Sequence, residues 1–265
     1  MQNCRHRKLS AFSGVVAGGK ATLVLPVGDT YEQIILRTNL NPDELKRVEI
    51  TLNDDKIYNL TSTHLRALRQ YHEKEDPEGF YVIPFSDFDM KARQSTASTA
   101  LVTELTDHIT LDVTLSDSIP TSKGILIDTF AVVSDPQPFR QLLPRMYTQT
   151  MTATANGDND FSGIISSPTR FIRRAHFHTG KMDKLEIHRD SRIEGEYHLD
   201  VVNMIAKDNN KTPLTDVFTY DPLVYGFMLG FVLPTAHQSE FFFRCHTTEV
   251  VQSIEILMEV IEQVA

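Results

Sequence analysis

A short run of residues occurs twice in this chain, and the repetition constrains the fold more than any other feature. Residues 45–51, LKRVEIT, return as residues 182–188, MDKLEIH. In both places a polar turn leads to an isoleucine, Ile57 or Ile193, and then to a short stretch of helical character. These two stretches are residues 63–68 and 199–204. The shared order of strand, turn, strand and helix predicts two copies of one structural unit, which is typical of a protein that builds a surface.

Alternation of apolar and polar residues dominates the readable segments. Val48, Ile50 and Leu52 alternate with polar neighbours, and residues 109–115 repeat the pattern. A period of two places apolar side chains on one sheet face, as a half-buried antiparallel strand requires. Many short strands separated by turn residues favour a sandwich or barrel, so we predict an all-β fold with short helices in its connecting loops. Further predicted strands cover residues 21–25, 34–37, 81–85, 125–133, 174–178, 227–232 and 240–245.

The C-terminal segment fits two patterns. Glu255, Glu259 and Glu262 recur at helical spacing, whereas residues 254–260 alternate like a strand. The counterpart in the first copy, residues 108–115, is rich in Thr and Val, which are good strand formers. We therefore predict a C-terminal strand.

Composition excludes some classes of function. The 265 residues carry a formal net charge of −9, which argues against broad nucleic-acid contact because phosphate binding needs a concentrated basic surface. The two cysteines, Cys4 and Cys245, are expected as reduced thiols, with a single bridge between them as the alternative, and they cannot form a multi-cysteine zinc site. No apolar run approaches the ~20 residues that span a bilayer, and the first residues do not resemble a secretory signal. Synthesis in a cytoplasm is expected.

A proline-containing segment separates the two copies. Residues 135–138, DPQP, and the pair Leu143-Pro144 are expected to interrupt regular structure, because proline lacks an amide donor and fixes its own φ. Residues 156–160, NGDND, predict a turn or flexible loop, and the Pro168 region predicts a hinge. The predicted domain limits are an N-terminal arm over residues 1–17, a first unit over 18–166 and a second over 167–265.

His176, His178 and Glu186 make the sharpest enzyme-like pattern. Two histidines at alternate strand positions point to one face, and neutral imidazoles ligate Zn, Fe or Mn. The arrangement is similar to that of cupins, single jelly-roll metalloenzymes, although the gap between His178 and Glu186 is longer than the cupin pattern. Arg174 would share the face, which is more typical of a solvent or subunit surface than of a metal cage. A cupin-like metalloenzyme is kept as the alternative function.

Other motifs for chemistry are weak. Asn156, Asp158 and Asp160 could offer oxygen ligands to Ca²⁺, but an ordinary turn explains the same residues. Neither a nucleophile elbow nor a definable triad is present, so no catalytic residue is predicted. The phenylalanines at 241–243 cannot all face one side of a strand, so at least one is expected to point out of its barrel. Cys245 beside them is expected to be a partly buried, unactivated thiol.

Several segments resemble one protein family. Residues 25–32, LPVGDTYE, followed by residues 35–37, ILR, and 42–49, PDELKRVE, resemble the N-terminal region of the corticovirus-type double jelly-roll major capsid protein. The second copy is similar from residues 174–178 through 184–187 to the final acidic strand. The likeness extends over most of residues 20–265. It points to tailless, icosahedral bacteriophages with an internal membrane.

The resemblance implies two tandem eight-stranded jelly-roll β-barrels in a structural protein that is not an enzyme. Three chains would form a pseudo-hexagonal homotrimer, and such trimers would tile an icosahedral virion shell around the internal membrane. The implied partners are further copies of the chain, penton or spike proteins and membrane-associated capsid proteins, without direct nucleic-acid contact. No cofactor is implied, although structural calcium would fit. Arg5, Arg7 and Lys8 are predicted to face the membrane, where each basic residue near anionic lipid contributes about 1 kcal/mol.

Overall fold

The protein consists of two compact units. The computed structural model describes residues 4–87, 89–90, 92–227 and 229–264. Unit 1 extends to Met146, without residues 71–73, and also takes Val264. Unit 2 consists of Tyr71–Glu73 and Tyr147–Gln263.

Unit 1 is built from antiparallel strands in two sheets. Its strands are β1 Arg5–Lys8, β2 Lys20–Val24, β3 Thr30–Thr38, β4 Leu45–Leu52, β5 Asp55–Leu60, β6 Phe80–Pro84, β7 Leu101–Val102, β8 Ile109–Leu115 and β9 Ile127–Ser134. Its helices are α1 Ser62–Tyr71, whose last residue belongs to unit 2, and α2 Arg93–Thr99. The strand orders are β1-β9-β3-β6, with β7 beside β3, and β5-β4-β8-β2.

Unit 2 repeats this plan. Its strands are β10 Leu142–Ala153, which begins in unit 1, β11 Gly157–Phe161, β12 Arg170–His178, β13 Met182–Arg189, β14 Arg192–His198, β15 Phe218–Tyr220, β16 Leu233–Pro234, β17 Phe241–Thr247 and β18 Val251–Gln263. Helix α3 spans Leu199–Asp208, and 3₁₀ turns span Pro222–Tyr225 and Leu229–Phe231. The strand orders are β10-β18-β12-β15, with β16 beside β12, and β11-β17-β13-β14. Each unit thus has eight main strands in two four-stranded sheets of matching order, as predicted.

The repeat seen in the sequence extends to single backbone angles. The hairpin β4–β5 turns through Asn53 and Asp54 with φ of 49° and 67°, and the hairpin β13–β14 turns through Asp190 and Ser191 with φ of 48° and 63°. Two successive residues of positive φ define the type I′ turn, whose twist matches that of a two-residue hairpin. The polar turn residues noted in the sequence are therefore what allow both hairpins to close, because Asn and Asp tolerate this conformation better than most residues.

The two helices also end in the same way. After α1, Glu73 has φ of 54° and Lys74 N donates to Arg69 O at 2.9 Å. After α3, Asn210 has φ of 55° and Lys211 N donates to Ala206 O, also at 2.9 Å. Both ends are Schellman-type caps with a left-handed residue. From β4 to β6 the pairs of equivalent residues keep one constant sequence offset, with no insertion between them.

Strand pairing extends the equivalence to β3 and β12. Ile83 of β6 and Tyr220 of β15 are equivalent through the constant offset, and their partners are Ile34 and Ala175. One residue further along, Ile35 is therefore equivalent to His176. Both strands also carry a β-bulge at the same place, between Tyr31 and Gln33 in β3 and between Ile172 and Arg174 in β12. The two units are copies of one framework with different side chains.

The core of unit 2 lies between its two sheets. Phe177 of β12, Ile187 of β13 and Phe243 of β17 are fully or almost fully buried together. The period of two predicted this arrangement, and β17 alternates buried and half-buried residues along its whole length. The C-terminal segment is a strand, as predicted. In the described residues, no helix has the length and apolar composition needed to cross a membrane.

Several local predictions were wrong. Pro144 lies inside β10, which a proline was expected to interrupt; this part of β10 pairs with β5 through one parallel bridge, from Met146 to Tyr58. The predicted loop at 156–160 contains β11, which pairs with β17. The predicted strand at 227–232 instead contains a 3₁₀ turn, since Phe227 has φ of 51°.

Domain limits also differ from the sequence-based ones. The compact units change at Tyr147, inside β10. The predicted limit between residues 166 and 167 therefore lies inside unit 2. Within the predicted arm, residues 5–8 form β1, which pairs with β9.

Candidate functional site

The basic residues near the N-terminus belong to a sheet. Arg7 Nη1 lies 3.0 Å from Asp29 Oδ2, and Arg5 Nη2 lies 3.3 Å from Asp29 Oδ1. Lys8 Nζ lies 3.0 Å from Asp128 Oδ1. All three basic side chains are about half exposed. Their charges are therefore partly neutralised within unit 1, and their predicted membrane-facing role stays a prediction.

The Asn156, Asp158 and Asp160 group is not gathered into one cage. Asp160 accepts two hydrogen bonds from Arg244, at 2.7 and 3.0 Å, and these lower the pKa of its carboxyl group. The turn is organised by the buried Asn159, whose amide donates to Ala155 O at 3.0 Å and to Thr247 Oγ1 at 3.1 Å. Across the part of the chain that the structure describes, no group of three His, Cys, Asp or Glu residues is arranged for a metal ion. The predicted calcium ligands stay a prediction.

His176 and Glu186 lie in different sheets of unit 2. His176 is buried on β12, where its Nε2 hydrogen-bonds Glu259 Oε1 at 2.9 Å and its Nδ1 hydrogen-bonds Thr219 Oγ1 at 3.0 Å. Glu186 is on β13, which belongs to the other sheet of unit 2. Its carboxylate oxygens lie 2.8 Å from Lys184 Nζ and 2.8 Å from His188 Nε2. Since both nitrogens of His176 already have protein partners, the structure does not assemble the cupin-like set of His176, His178 and Glu186.

An ionic cluster instead occupies the face of β12 that points away from the core of unit 2. Arg174 Nε donates to Asp221 Oδ2 at 2.8 Å, and Arg174 Nη1 donates to Glu259 Oε2 at 3.3 Å. Arg173, the bulge residue, places Nη2 3.5 Å from the same carboxylate oxygen of Glu259. Tyr71 Oη donates to Asp221 Oδ2 at 3.0 Å. The prediction that Arg174 faces solvent or another subunit was wrong, because Arg174 is only 1% exposed.

Burial and charge act in opposite directions on the acidic side of this cluster. Burial by itself would raise the pKa of Glu259, but Arg174, the hydrogen bond with His176 and Arg173 together hold it well below its usual value. The pKa of Tyr71 is raised by burial and by the adjacent Asp221 carboxylate. Glu259 is therefore ionised and Tyr71 is protonated at neutral pH, so the cluster is a set of paired charges.

The equivalent face in unit 1 has a different chemistry. Ile35 and Phe130 stand opposite each other there and are half-buried. Lys8 Nζ lies 5.9 Å and Arg37 Cζ 5.2 Å from the centroid of the Phe130 ring, within cation–π range, and Asp128 bridges the two cations. The result is an apolar sheet face with a cationic rim, which we call the β3–β9 face.

The glutamate of the repeated motif is central in both units. Glu49 accepts from Lys56 and lies 3.1 Å from Lys20 Nζ; these lysines outweigh burial and lower its pKa. Its equivalent, Glu186, has a pKa lowered by hydrogen bonds from Lys184 and His188. Each glutamate thus pairs with two basic side chains on the outer face of its sheet.

The three phenylalanines divide between the two faces of β17, as predicted. Phe241 and Phe243 are buried in the core of unit 2. Phe242 points outwards and stacks on His188, with ring centroids 4.6 Å apart. Cys245 is buried, and burial raises the pKa of its thiol far above the usual value. An unactivated thiol was predicted here.

Equivalent helices differ most in exposure. In α1, His64, Leu65 and Leu68 are each no more than 3% exposed. The equivalents in α3 are Val201, Val202 and Ile205; Val201 is 46% exposed and the other two are half-buried. Met204 is also 55% exposed, and Tyr225, at 56%, lines a small cavity with Val202 and Ile205. We call Val201, Met204, Ile205 and Tyr225 the α3 face; exposed apolar groups of this kind mark protein contacts.

Sequence reasoning missed both faces. The signal for the α3 face was present as apolar residues at positions 201, 204 and 205, which follow helical spacing on a short helix that already packs one side. The β3–β9 face could not be separated from a core face by alternation, because β3 has apolar residues on both sides.

Two matched eight-stranded units in one chain define the class of double jelly-roll proteins. Family models agree over almost the whole chain: the viral coat protein P2 N-terminal domain matches residues 6–134, and the viral coat protein P2 C-terminal domain matches residues 143–264. The chain belongs to the viral coat protein P2 family. The resemblance inferred from the sequence is confirmed. No curated protein has a significant sequence match to the chain.

Solved structures confirm the fold. The major capsid protein P2 from bacteriophage PM2 is similar with a TM-score of 0.88 and 18% identity, over 99% of this chain and 98% of that one. The MCP of STIV is similar with a TM-score of 0.71 and 9% identity, over 98% and 97% of the two chains. PBCV-1 VP54 is similar with a TM-score of 0.66 and 10% identity, over 99% and 95%. These likenesses show that the fold is the double jelly roll.

Proposed function

We propose that this coat protein is the major capsid protein of a tailless bacteriophage with an internal membrane. Three chains form a pseudo-hexagonal trimer, and the trimers tile an icosahedral shell around that membrane. The chain is synthesised in the cytoplasm of the bacterial host and acts as a structural protein without catalytic activity. Penton or spike proteins and membrane-associated capsid proteins are its further partners.

One observation carries this proposal: the two units are copies of one framework, with identical turn geometry and matching strand order. A closed ring of three such chains presents six similar units, so one gene product occupies six positions. Closed rings of this kind come from heterologous contacts, in which one surface of a chain meets a different surface of its neighbour. Differences between the copies are then expected on the surfaces that meet.

The basic residues of β1 support the proposed contact with the internal membrane. Arg5, Arg7 and Lys8 are half exposed in spite of their carboxylate partners, and they face the anionic membrane surface in the assembled shell. Deleting residues 4–8 would remove β1 from its sheet, so charge reversal is the better variant. Arg5→Glu with Arg7→Glu should reduce co-flotation of unassembled trimers with anionic vesicles at low salt. Equal flotation of variant and wild type would contradict this role.

The main experiment measures assembly. Light scattering on the purified chain should give three times the 30.1 kDa chain mass, and negative-stain images should show pseudo-hexagonal outlines and, at high concentration, closed shells. A chain that stays monomeric at all concentrations would contradict the proposal. Metal analysis of the same sample tests the enzyme alternative, which requires stoichiometric transition metal that is lost on His176→Ala.

A further inference from the structure

Unit 2 shows how this framework covers the outer face of β12. Tyr71, the last residue of α1, lies with its ring edge against His176, with centroids 5.6 Å apart, and donates to Asp221. Its carbonyl oxygen accepts from Thr212 N at 2.9 Å. Tyr71, which belongs to unit 2, thus lies on the β12 face, and that face is buried.

Two surfaces that correspond to this buried contact are exposed: the β3–β9 face of unit 1 and the α3 face of unit 2. The β3–β9 face, which corresponds to the β12 face, has Arg37 and Lys8 side chains that are 52% and 62% exposed. The α3 face, on the helix that corresponds to α1, exposes Val201 and Met204. At the position of Tyr71, α3 carries the exposed Asp208.

The two uncovered surfaces are complementary. Each has an apolar centre: Ile35 and Phe130 on the sheet, and Val201 with Met204 on the helix. Their edges differ in net charge, because Lys8 and Arg37 outnumber Asp128 around the sheet face, whereas Asp200 and Asp208 outnumber Lys207 on α3. Complementary charge around an apolar centre is the usual anatomy of a specific protein contact.

We infer that the α3 face of one copy packs on the β3–β9 face of a second copy. This contact repeats between chains the arrangement that Tyr71 and β12 make within unit 2. Met204 and Val201 cover Ile35 and Phe130, and Asp208 pairs with Arg37. The contact is heterologous, so it does not end at a dimer, and with a three-fold rotation between copies it closes a ring of three. The inference rests on the proposed function, since it assigns the surfaces that join copies in the trimer.

The test compares variants by sedimentation of the full chain over a range of concentrations. Val201→Asp with Met204→Asp should raise the concentration at which half the chain is trimeric by about tenfold or more, because central apolar contacts dominate such interfaces. Both residues are exposed in the single chain, so thermal unfolding of the monomer should be unchanged. Leu105→Asp, at an apolar residue that is 85% exposed and belongs to neither face, is the matched control and should leave assembly unchanged.

A charge exchange makes the test specific for this pair of surfaces. Asp208→Lys and Arg37→Glu should each weaken the trimer, and the double variant should recover most of the loss. If the wild-type chain forms trimers and the α3 variants form them at the same concentrations, this inference alone is overturned. Variants that form normal trimers but no shells would also overturn it, because they would place the α3 face between trimers. A wild-type chain that never forms trimers would overturn the proposed function and this inference with it.

Discussion

The same sheet face is ionic in unit 2 and apolar in unit 1. On β12 it carries Arg174 and His176, held by Glu259, whereas the equivalent positions on β3 and β9 are Gln33, Ile35 and Val132. The backbone framework is the same in both, including the bulge. The same backbone therefore accepts different chemistry on this face. The side chains decide whether the face is buried with its charges paired within the chain or stays exposed for contact with another chain.

The largest expected effect tests the ionic version of this face. Glu259→Gln leaves Arg173 and Arg174 with one carboxylate fewer, and removing one partner of a buried ionic group costs about 3–5 kcal/mol. Urea unfolding followed by circular dichroism should show this loss.

The matched control for that variant is Glu262→Gln on the same strand. Glu262 pairs with Arg170 at 3.3 Å and is more exposed, at 17%, so its removal should cost about 1 kcal/mol or less. Equal losses from both variants would contradict the view that burial of the cluster sets its importance.

A second prediction compares the equivalent helices. Leu68→Ala in α1 should cost about 2–5 kcal/mol, because Leu68 is almost fully buried. Ile205→Ala in α3, at the equivalent position, should cost about 1 kcal/mol in the monomer, since Ile205 is only half-buried. Unfolding should be measured at concentrations below assembly. If both truncations cost the same there, α3 is as well covered within the chain as α1, and the comparison fails.

The smallest effect concerns the two hairpin turns. Asp190 accepts backbone hydrogen bonds from Ser239 N at 2.7 Å and Gln238 N at 2.9 Å. The bond from Ser239, followed by those from Gln238 and Glu240, lowers the pKa of Asp190 to about 2 against burial. Because the folded-state pKa lies below the unfolded one, the stabilisation is complete above about pH 4 and is lost as the pH falls through 2.

Asp190→Asn should therefore remove a small acid-dependent part of the stability, visible as a flatter dependence of the urea midpoint on pH between 2 and 5. Asparagine keeps the left-handed turn, as Asn53 does at the equivalent position of unit 1. The corresponding Asn53→Asp variant tests the reverse exchange. Because Asn53 donates to Asp107 and accepts from His108 N, the new carboxylate would face the carboxylate of Asp107, so this variant should lose stability near neutral pH and recover it as the pH falls. An unchanged profile for Asp190→Asn would contradict the role assigned to its backbone hydrogen bonds.

Much of the fold could be predicted because strand alternation and turn residues act locally. The strands that carry Glu49 and Glu186, and the outward position of at least one of the three phenylalanines at 241–243, follow from a period of two. The C-terminal strand follows from its correspondence with residues 108–115. The predictions around Pro144 and residues 156–160 were wrong because pairing partners distant in the sequence decide whether a polar or proline-containing segment becomes a strand.

An all-β chain with two copies of one unit could be predicted from the sequence, because the side-chain period and the chemistry of left-handed turns are local properties. Which sheet and helix faces are covered became known from the folded chain alone. Arg174 has the sequence appearance of a surface residue and is buried, whereas Val201 and Met204 have the appearance of core residues and are exposed. The physical reason is that a charge can be buried wherever long-range folding supplies its partners, and an apolar residue can stay exposed wherever its cover comes from outside the fold of its own unit.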